Sequence, residues 1–167
     1  LRPGPTVMTR PFRLTLVHPC IGRKPGQPYL RTWQMEPLPV AVLAALTPKG
    51  VDRRFYDDRL EEIPYDEPTD FVGISTEIYT AKRAYQIASE YRRRGVPVVM
   101  GGFHATLFPE EVQRYAESVV LGEAEEVWPH LIDDYRSGTP DKLYKSETRP
   151  CLDRSSPDRT IYAGKRY

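Results

Sequence analysis

Cysteine is scarce in this sequence, whose 167 residues include only Cys20 and Cys151. The two lie far apart and form no C-x-x-C pair, so a disulfide-rich scaffold and a structural zinc site built on thiolates are excluded. Such low cysteine usage is typical of proteins in a reducing compartment, and we expect this one to be cytoplasmic.

Excess charge and long apolar runs are missing as well. Lys and Arg number 24 against 23 Asp and Glu, which excludes the broad basic face that binds nucleic acid. No apolar run approaches the roughly 18 residues of a membrane span, and none opens the chain as a signal peptide. We therefore expect neither nucleic acid nor a membrane as a partner. The hydrophobic content of 40 % is that of a globular protein.

Proline, by contrast, is abundant. The 17 prolines concentrate in residues 3–11, 19–39 and 140–157, and proline is disfavoured in helix interiors and central strands. We interpret residues 1–11 as a leader and residues 12–143 as the folded domain. The polar residues 144–167 lack a helical or strand period, and we expect them to be a linker that leads to a further domain.

Strands and helices alternate through the predicted domain. Apolar runs predict five strands, at residues 12–18, 51–57, 70–76, 96–100 and 118–121. Helical spacing, together with Pro at starts and Gly at ends, predicts a helix after each of the first, third, fourth and fifth strands. This alternation predicts an α/β fold with three layers, α/β/α, around a doubly wound, five-stranded parallel sheet.

The loops at the carboxyl ends of the strands are where such sheets bind ligands. Gly101-Gly102 either lets a flat ligand approach the backbone or forms a tight turn. Ser75-Thr76 either bonds a ligand or caps the next helix, and Gly122-Glu123 is either another close-approach turn or a favourable helix start.

Catalytic and metal-binding patterns are absent from the same loops. His18 ends the first predicted strand and His104 follows Gly101-Gly102, but no third ligand has the spacing of a metal site, so we interpret them as hydrogen-bonding wall residues. The sequence contains neither the dinucleotide-binding motif G-x-G-x-x-G nor the P-loop motif G-x-x-x-x-G-K-[ST]. The loop ends also lack a Ser–His–acid or Cys–His set for nucleophilic catalysis. It therefore predicts a binding module with no metal ligand and no catalytic residue of its own.

Three pieces of the sequence carry a resemblance to a known family. DFVGIST, VVMGGFHATLFPEE and VVLGEAEEVWPHL, in this order, resemble the amino-terminal cobalamin-binding domain of cobalamin-dependent radical SAM enzymes. The likeness covers about residues 12–136. It implies a flavodoxin-like sheet with the strand order 2-1-3-4-5 and cobalamin across the carboxyl ends of the strands.

The resemblance also assigns roles to residues. Ser75 and Thr76 would meet the dimethylbenzimidazole tail of the cofactor, Gly101-Gly102 would make room for it, and Gly122-Glu123 would close the far side of its slot. The corrin ring would lie against the long first loop. The implied cofactor-binding residues are Ser75, Thr76, Glu77, Gly101, Gly102, Phe103, His104, Gly122 and Glu123.

Two departures from related patterns refine this picture. The stretch from His18 to Arg23 does not fit D-x-H-x-x-G, whose histidine ligates cobalt in methionine synthases and mutases, so the resemblance implies a displaced tail with no histidine in its place. The motif C-x-x-x-C-x-x-C is absent, and two cysteines cannot hold a cluster through three thiolates. The 4Fe-4S cluster and S-adenosylmethionine would then belong to a radical SAM domain outside this chain, in cis or in trans.

Taken together, the sequence predicts a cobalamin-binding module that presents methylcobalamin for methyl transfer to an unactivated carbon. Two alternatives remain open at this point. One is a cobalamin module of a radical SAM enzyme that does not methylate. The other is a docking domain of the same fold without cofactor, which bulky Phe103 and Tyr79 side chains pointing into the crevice would favour.

Overall fold

Six strands pair side by side in the computed structural model, which describes residues 10–22, 35–151 and 156–167. Every neighbouring pair is parallel, and the order across the sheet is β2-β1-β3-β4-β5-β6. The strands are β1 (Phe12–His18), β2 (Val51–Asp57), β3 (Phe71–Ser75), β4 (Val98–Gly101), β5 (Ser118–Leu121) and β6 (Leu143–Lys145).

Helices connect the strands and cover both faces of the sheet. They are α1 (Leu38–Leu46), α2 (Ala81–Arg93), α3 (Phe103–Leu107), α4 (Pro109–Val112) and α5 (Trp128–Ser137), with single 3-10 turns at Ile78–Thr80 and Arg159–Tyr162. Proline lies in the first turn of α1, α4 and α5, where no backbone donor is lost. Within the described ranges, no helix is long and apolar enough to cross a membrane.

Two hydrophobic clusters lie on opposite faces of the sheet. The first joins Leu14, Phe71, Val99 and Val120 to α1 and α5, and the second joins their strand neighbours to α2, α3 and α4. Because successive side chains of a strand point to opposite faces, apolar runs such as Val98–Met100 supply both clusters at once. This arrangement confirms the predicted three-layer, flavodoxin-like α/β fold, with the order 2-1-3-4-5 for the first five strands.

The sixth strand is a correction to the sequence prediction of five. Residues 143–145, at the predicted boundary with the linker, extend the sheet beyond β5. Tyr144 anchors this edge because its ring is buried and its hydroxyl donates to Asp134 Oδ2 at 2.8 Å and accepts from the Asp141 N–H at 2.8 Å. A strand of three residues with one buried side chain is too short to show a period.

The end of the predicted linker also packs on the domain. Tyr162 is buried in the first cluster, and its hydroxyl donates to the Pro37 carbonyl oxygen at 2.7 Å, just before α1. Asp158 pairs with Arg53 of β2 at 2.8 Å, and Lys165 pairs with Glu61. Residues 156–167 therefore hold α1 against the edge of the sheet, although their sequence has no regular period.

Two buried aspartates, Asp57 and Asp58, lie at the end of β2 and join separate parts of the fold. Asp57 accepts hydrogen bonds from Arg59 at 2.7 Å and from the Tyr167 hydroxyl at 3.0 Å. Asp58 accepts from Arg83 of α2 at 2.8 Å and from the Cys20 N–H at 3.1 Å. Through these hydrogen bonds, Asp58 connects the start of the first loop and α2 to the end of β2, and Asp57 connects residue Tyr167 to it.

The surroundings of Asp58 lower the pKa of its carboxyl group. Burial by itself raises the pKa of this carboxyl, but the hydrogen bonds and charge of Arg83 and the hydrogen bonds from Cys20 outweigh burial, so its pKa lies below the ordinary 3.8. A carboxyl with a lowered pKa in the folded state stabilises the protein above its unfolded pKa, and that contribution is lost as the pH falls through the lowered pKa.

Replacing Arg83 with Met is expected to lower the free energy of unfolding by about 3–5 kcal/mol at pH 7, because the buried Asp58 carboxylate loses the charge and the two hydrogen bonds of Arg83. The difference from the parent protein should shrink as the pH falls through the lowered pKa of Asp58, because the carboxyl is then protonated in both proteins. Urea denaturation at several pH values measures both effects. Arg93→Met is the control, since Arg93 pairs with Glu90 on the surface and its loss should change the free energy of unfolding far less; equal losses in the two variants would contradict the assignment.

Candidate functional site

A cavity of about 530 Å³ opens at the carboxyl ends of β3, β4 and β5. It lies on the α1 and α5 side of the sheet, because the strand residues that line it include Val99 and Val120 of the first hydrophobic cluster. We call Gly73, Val99, Val120 and Trp128 the floor of the cavity, and Leu38, Pro39, Val42 and Leu43 of α1 its wall. The loops after the strands form its mouth.

The floor is closely packed around the indole of Trp128. A Cβ atom at Gly73 would lie 3.2 Å from Trp128 Cη2 and 3.1 Å from Leu16 Cδ2, so the indole occupies space that a side chain on β3 would take. The Trp128 Nε1–H donates to Thr47 Oγ1 at 3.1 Å. This bond satisfies the polar atom of the ring away from the cavity and leaves an apolar floor.

The wall comes from a helix with no charged residue in its first or last turn. Its inner side packs on the sheet through the buried Val40 and Ala41, whereas Val42 and Leu43 are half-buried and line the cavity. No residue of α1 was among the predicted site residues. Its apolar residues all round the helix were the available signal, since a helix between the sheet and a ligand is apolar on more than one side.

Most of the predicted site residues meet at the mouth. Ser75 ends β3 opposite Gly101 of β4 in the sheet register, and Gly122 begins the loop after β5. The hydroxyl of Thr106 joins two of these loops, because it donates to the Gly102 carbonyl oxygen at 3.0 Å and accepts from the Gly122 N–H at 2.9 Å. The predicted residues that line the cavity are Ser75, Glu77, Gly101, Gly102, Phe103, Gly122 and Glu123.

Thr76 and His104, which were also predicted as cofactor-binding residues, lie outside the lining of the cavity. Thr76 is fully buried; its N–H donates to the Gly101 carbonyl oxygen at 2.8 Å, and its own carbonyl oxygen accepts from the His104 N–H at 3.0 Å. The His104 ring is buried with Nε2 2.9 Å from the Tyr85 hydroxyl, which donates to Glu111. The two residues brace the loop after β4 from behind.

The adjacent Gly101 and Gly102 differ in backbone conformation and in the space available for a side chain. Gly102 has φ 98° and ψ −173°, a conformation that is essentially restricted to glycine, and a Cβ atom there would lie 2.8 Å from the Thr76 carbonyl oxygen. At Gly101 a Cβ atom would make only a 3.4 Å contact with Val120 Cβ. The turn interpretation therefore applies to Gly102, whereas Gly101 is the position that leaves room at the cavity.

The large aromatic residues near the mouth leave the cavity open. Phe103 lies at its edge with 58 % of its surface exposed, and Tyr79 is 64 % exposed and outside the lining. Neither ring fills the space between the floor and the wall. The alternative of a docking domain without cofactor is favoured by rings that fill the crevice, and these two rings leave it open.

Two titratable residues, His18 and Cys20, lie where β1 passes into the first loop. Burial and the charge of Arg59 lower the pKa of His18 to about 4, which keeps its imidazole neutral at pH 7. Burial and a hydrogen bond with Asp58 raise the pKa of the Cys20 thiol to about 11, which keeps it protonated. Neither residue lines the cavity. Residues 23–34 of this loop, which were expected to face the corrin ring, lie outside the described residues.

Comparison with known families matches the B12 binding domain to residues 34–132. The chain is 38 % identical over 123 residues to bacteriochlorophyllide d C-8(2)-methyltransferase and 34 % identical over 125 residues to bacteriochlorophyllide d C-12(1)-methyltransferase, both of Chlorobaculum tepidum. These alignments cover 71 % and 73 % of the chain but 26 % and 27 % of the relatives, so the chain spans about a quarter of their length.

Among solved structures, the N-terminal domain of a hypothetical protein of Thermotoga maritima matches 52 % of the chain and 74 % of its own length, at 20 % identity and a TM-score of 0.41. The family match, and not this distant likeness, confirms the resemblance that the three sequence pieces indicate.

Gly102→Ala is expected to lower the free energy of unfolding by more than about 2 kcal/mol, because alanine disfavours this backbone conformation and its methyl group meets the Thr76 backbone. Gly101→Ala, one residue away, should cost less than about 1 kcal/mol, since the added methyl group makes an ordinary contact. Urea denaturation of both variants measures the two values. A Gly102→Ala protein as stable as Gly101→Ala would contradict the turn assignment.

Proposed function

The chain belongs to the B12-binding domain family, and on that premise we propose that its cavity takes the nucleotide tail of the cobalamin that this domain binds. The observation that carries the proposal is an open cavity at the carboxyl ends of three parallel strands, with Gly101 and Gly122 at its mouth. Parallel α/β sheets bind ligands at this edge, and backbone without side chains lets a bulky group pass.

The residues present fit the chemistry of that tail. The floor of Val99, Val120 and Trp128 is apolar and suits the flat, apolar dimethylbenzimidazole ring. Ser75 offers a hydroxyl where the floor meets the mouth, and the α1 wall of Val42 and Leu43 would cover the other side of the ring. The cofactor itself supplies the organometallic methyl-transfer chemistry, and the protein would bind and orient it.

The wider activity is proposed from the relatives. Two of them are named as methyltransferases acting on bacteriochlorophyllide d. We propose that this chain is the cobalamin module of a radical SAM methyltransferase that acts on an unactivated carbon, with methylcobalamin as the methyl source. The 4Fe-4S cluster and S-adenosylmethionine would be held by a catalytic domain outside residues 1–167, since two cysteines cannot supply three thiolate ligands.

The purified protein is expected to retain hydroxocobalamin after desalting, visible as red colour and by its absorption spectrum. Val42→Trp should abolish retention, because an indole projecting from the wall would occupy the space for the tail. Ala45→Trp on the exposed side of the same helix is the matched control and should retain the cofactor like the parent protein. Retention by both variants would mean that the tail lies elsewhere, and no retention by the parent chain would contradict cobalamin binding.

We also propose that the tail is displaced from cobalt and that no histidine replaces it, since residues 18–23 do not fit D-x-H-x-x-G and neither His18 nor His104 lines the cavity. The prediction concerns the reduced complex, cob(II)alamin bound to the protein. Its electron paramagnetic resonance spectrum should show cobalt hyperfine lines without splitting by an axial nitrogen. Nitrogen splitting that disappears in His18→Ala or His104→Ala would identify a histidine ligand and contradict the proposal; splitting that persists in both would identify the undisplaced tail.

A further inference from the structure

The floor of the cavity offers almost no hydrogen-bonding partner to a buried ring. Val99 and Val120 are aliphatic, Gly73 has no side chain, and the N–H of Trp128 is bonded to Thr47. The backbone of β3, β4 and β5 beneath the cavity is paired within the sheet. A ring placed on this floor therefore meets carbon atoms over most of its surface.

The polar side chains of the lining lie at the mouth, and they differ in what they can offer. The Thr106 hydroxyl is already engaged between Gly102 and Gly122. Glu123 is exposed to solvent, and Glu77 and Glu125 lie on loops beyond the strand ends. Ser75 is different because it is the last residue of β3, two positions beyond Gly73 on the same face of the sheet. Its hydroxyl therefore lies on the same strand and the same face as the floor residue Gly73.

From this distribution we infer that the cavity selects its cofactor by the chemistry of the tail base: it takes cobamides with a benzimidazole base and discriminates against those with a purine base. The inference rests on the proposed placement of the tail. Val99, Val120 and Ser75 would be the residues that determine the specificity, and the ligand class would be narrower than corrinoids in general.

The reason is the number of polar atoms that each base would bury. A benzimidazole joined to ribose and displaced from cobalt has a single free ring nitrogen, which is an acceptor for the Ser75 hydroxyl. Adenine in the same position brings further ring nitrogens and an exocyclic amine onto the aliphatic floor. Each buried polar atom without a partner loses its bonds to water and weakens binding.

The test compares the dissociation constants of three corrinoids for the intact 167-residue protein by absorption titration or calorimetry. The probes are hydroxocobalamin, the cobamide with adenine in place of dimethylbenzimidazole, and cobinamide, which lacks the nucleotide tail. We expect hydroxocobalamin to bind at least about tenfold more tightly than the adenine cobamide, the effect of one unpaired buried polar group. Cobinamide should bind more weakly than hydroxocobalamin.

A matched pair of variants assigns the selectivity to the floor. Val99→Thr places a hydroxyl on the floor at almost unchanged volume and should narrow the ratio of the two dissociation constants several-fold. Val98→Thr makes the same change on the opposite face of the same strand, in the second hydrophobic cluster, and should leave the ratio unchanged. Thermal melting of both variants controls for loss of folded protein.

The outcomes separate the two claims. Equal binding of the two cobamides, both tighter than cobinamide, would overturn the selectivity while leaving the tail in the cavity. Equal binding of all three corrinoids would overturn the placement of the tail, and with it the selectivity. If Val98→Thr narrowed the ratio of the two cobamide dissociation constants as much as Val99→Thr, the role of the floor in the selectivity would be overturned.

Discussion

The indole of Trp128 occupies the space beside Gly73 that a side chain on β3 would otherwise fill. Through this packing, and through the bond from its N–H to Thr47 at the end of α1, one ring connects the sheet with the helices α1 and α5. The indole fills the space between the sheet and the helices beside Gly73. The cavity begins next to it, toward the carboxyl ends of the strands, where glycines leave the space open. The shape of the site thus depends on a large residue and a glycine packed together.

Charge is kept away from this floor and used elsewhere to hold the elements that surround it. Asp57 and Asp58 bind Arg59, Arg83 and Tyr167 at the end of β2, and the chain end presses α1 onto the sheet through Tyr162. A buried ion pair is costly to break, because the remaining charge is left uncompensated. These interactions leave the cavity wall and floor apolar, which is what a flat aromatic group requires.

The alternation of strands and helices predicted the fold, because buried parallel strands read as continuous apolar runs. It did not reveal β6, whose single buried residue, Tyr144, leaves no periodic signal. Loop ends located most of the site residues, since strand order determines which loops meet. The sequence did not separate Thr76 and His104 from the lining residues, because it does not show on which side of a turn a side chain lies. Gly101 and Gly102 look alike in sequence, and only the backbone angles distinguish turn from opening.

The central claim is that the tail of the cofactor rests on one face of the sheet, on Val99 and Val120. Nuclear magnetic resonance of the methyl-labelled protein with bound hydroxocobalamin, in which cobalt is diamagnetic, tests it directly. The account predicts nuclear Overhauser contacts from the dimethylbenzimidazole protons to the methyl groups of Val99 and Val120, and none to Val98 and Val119 on the opposite face. Contacts to Val98 and Val119, or to neither pair in the bound complex, would contradict it.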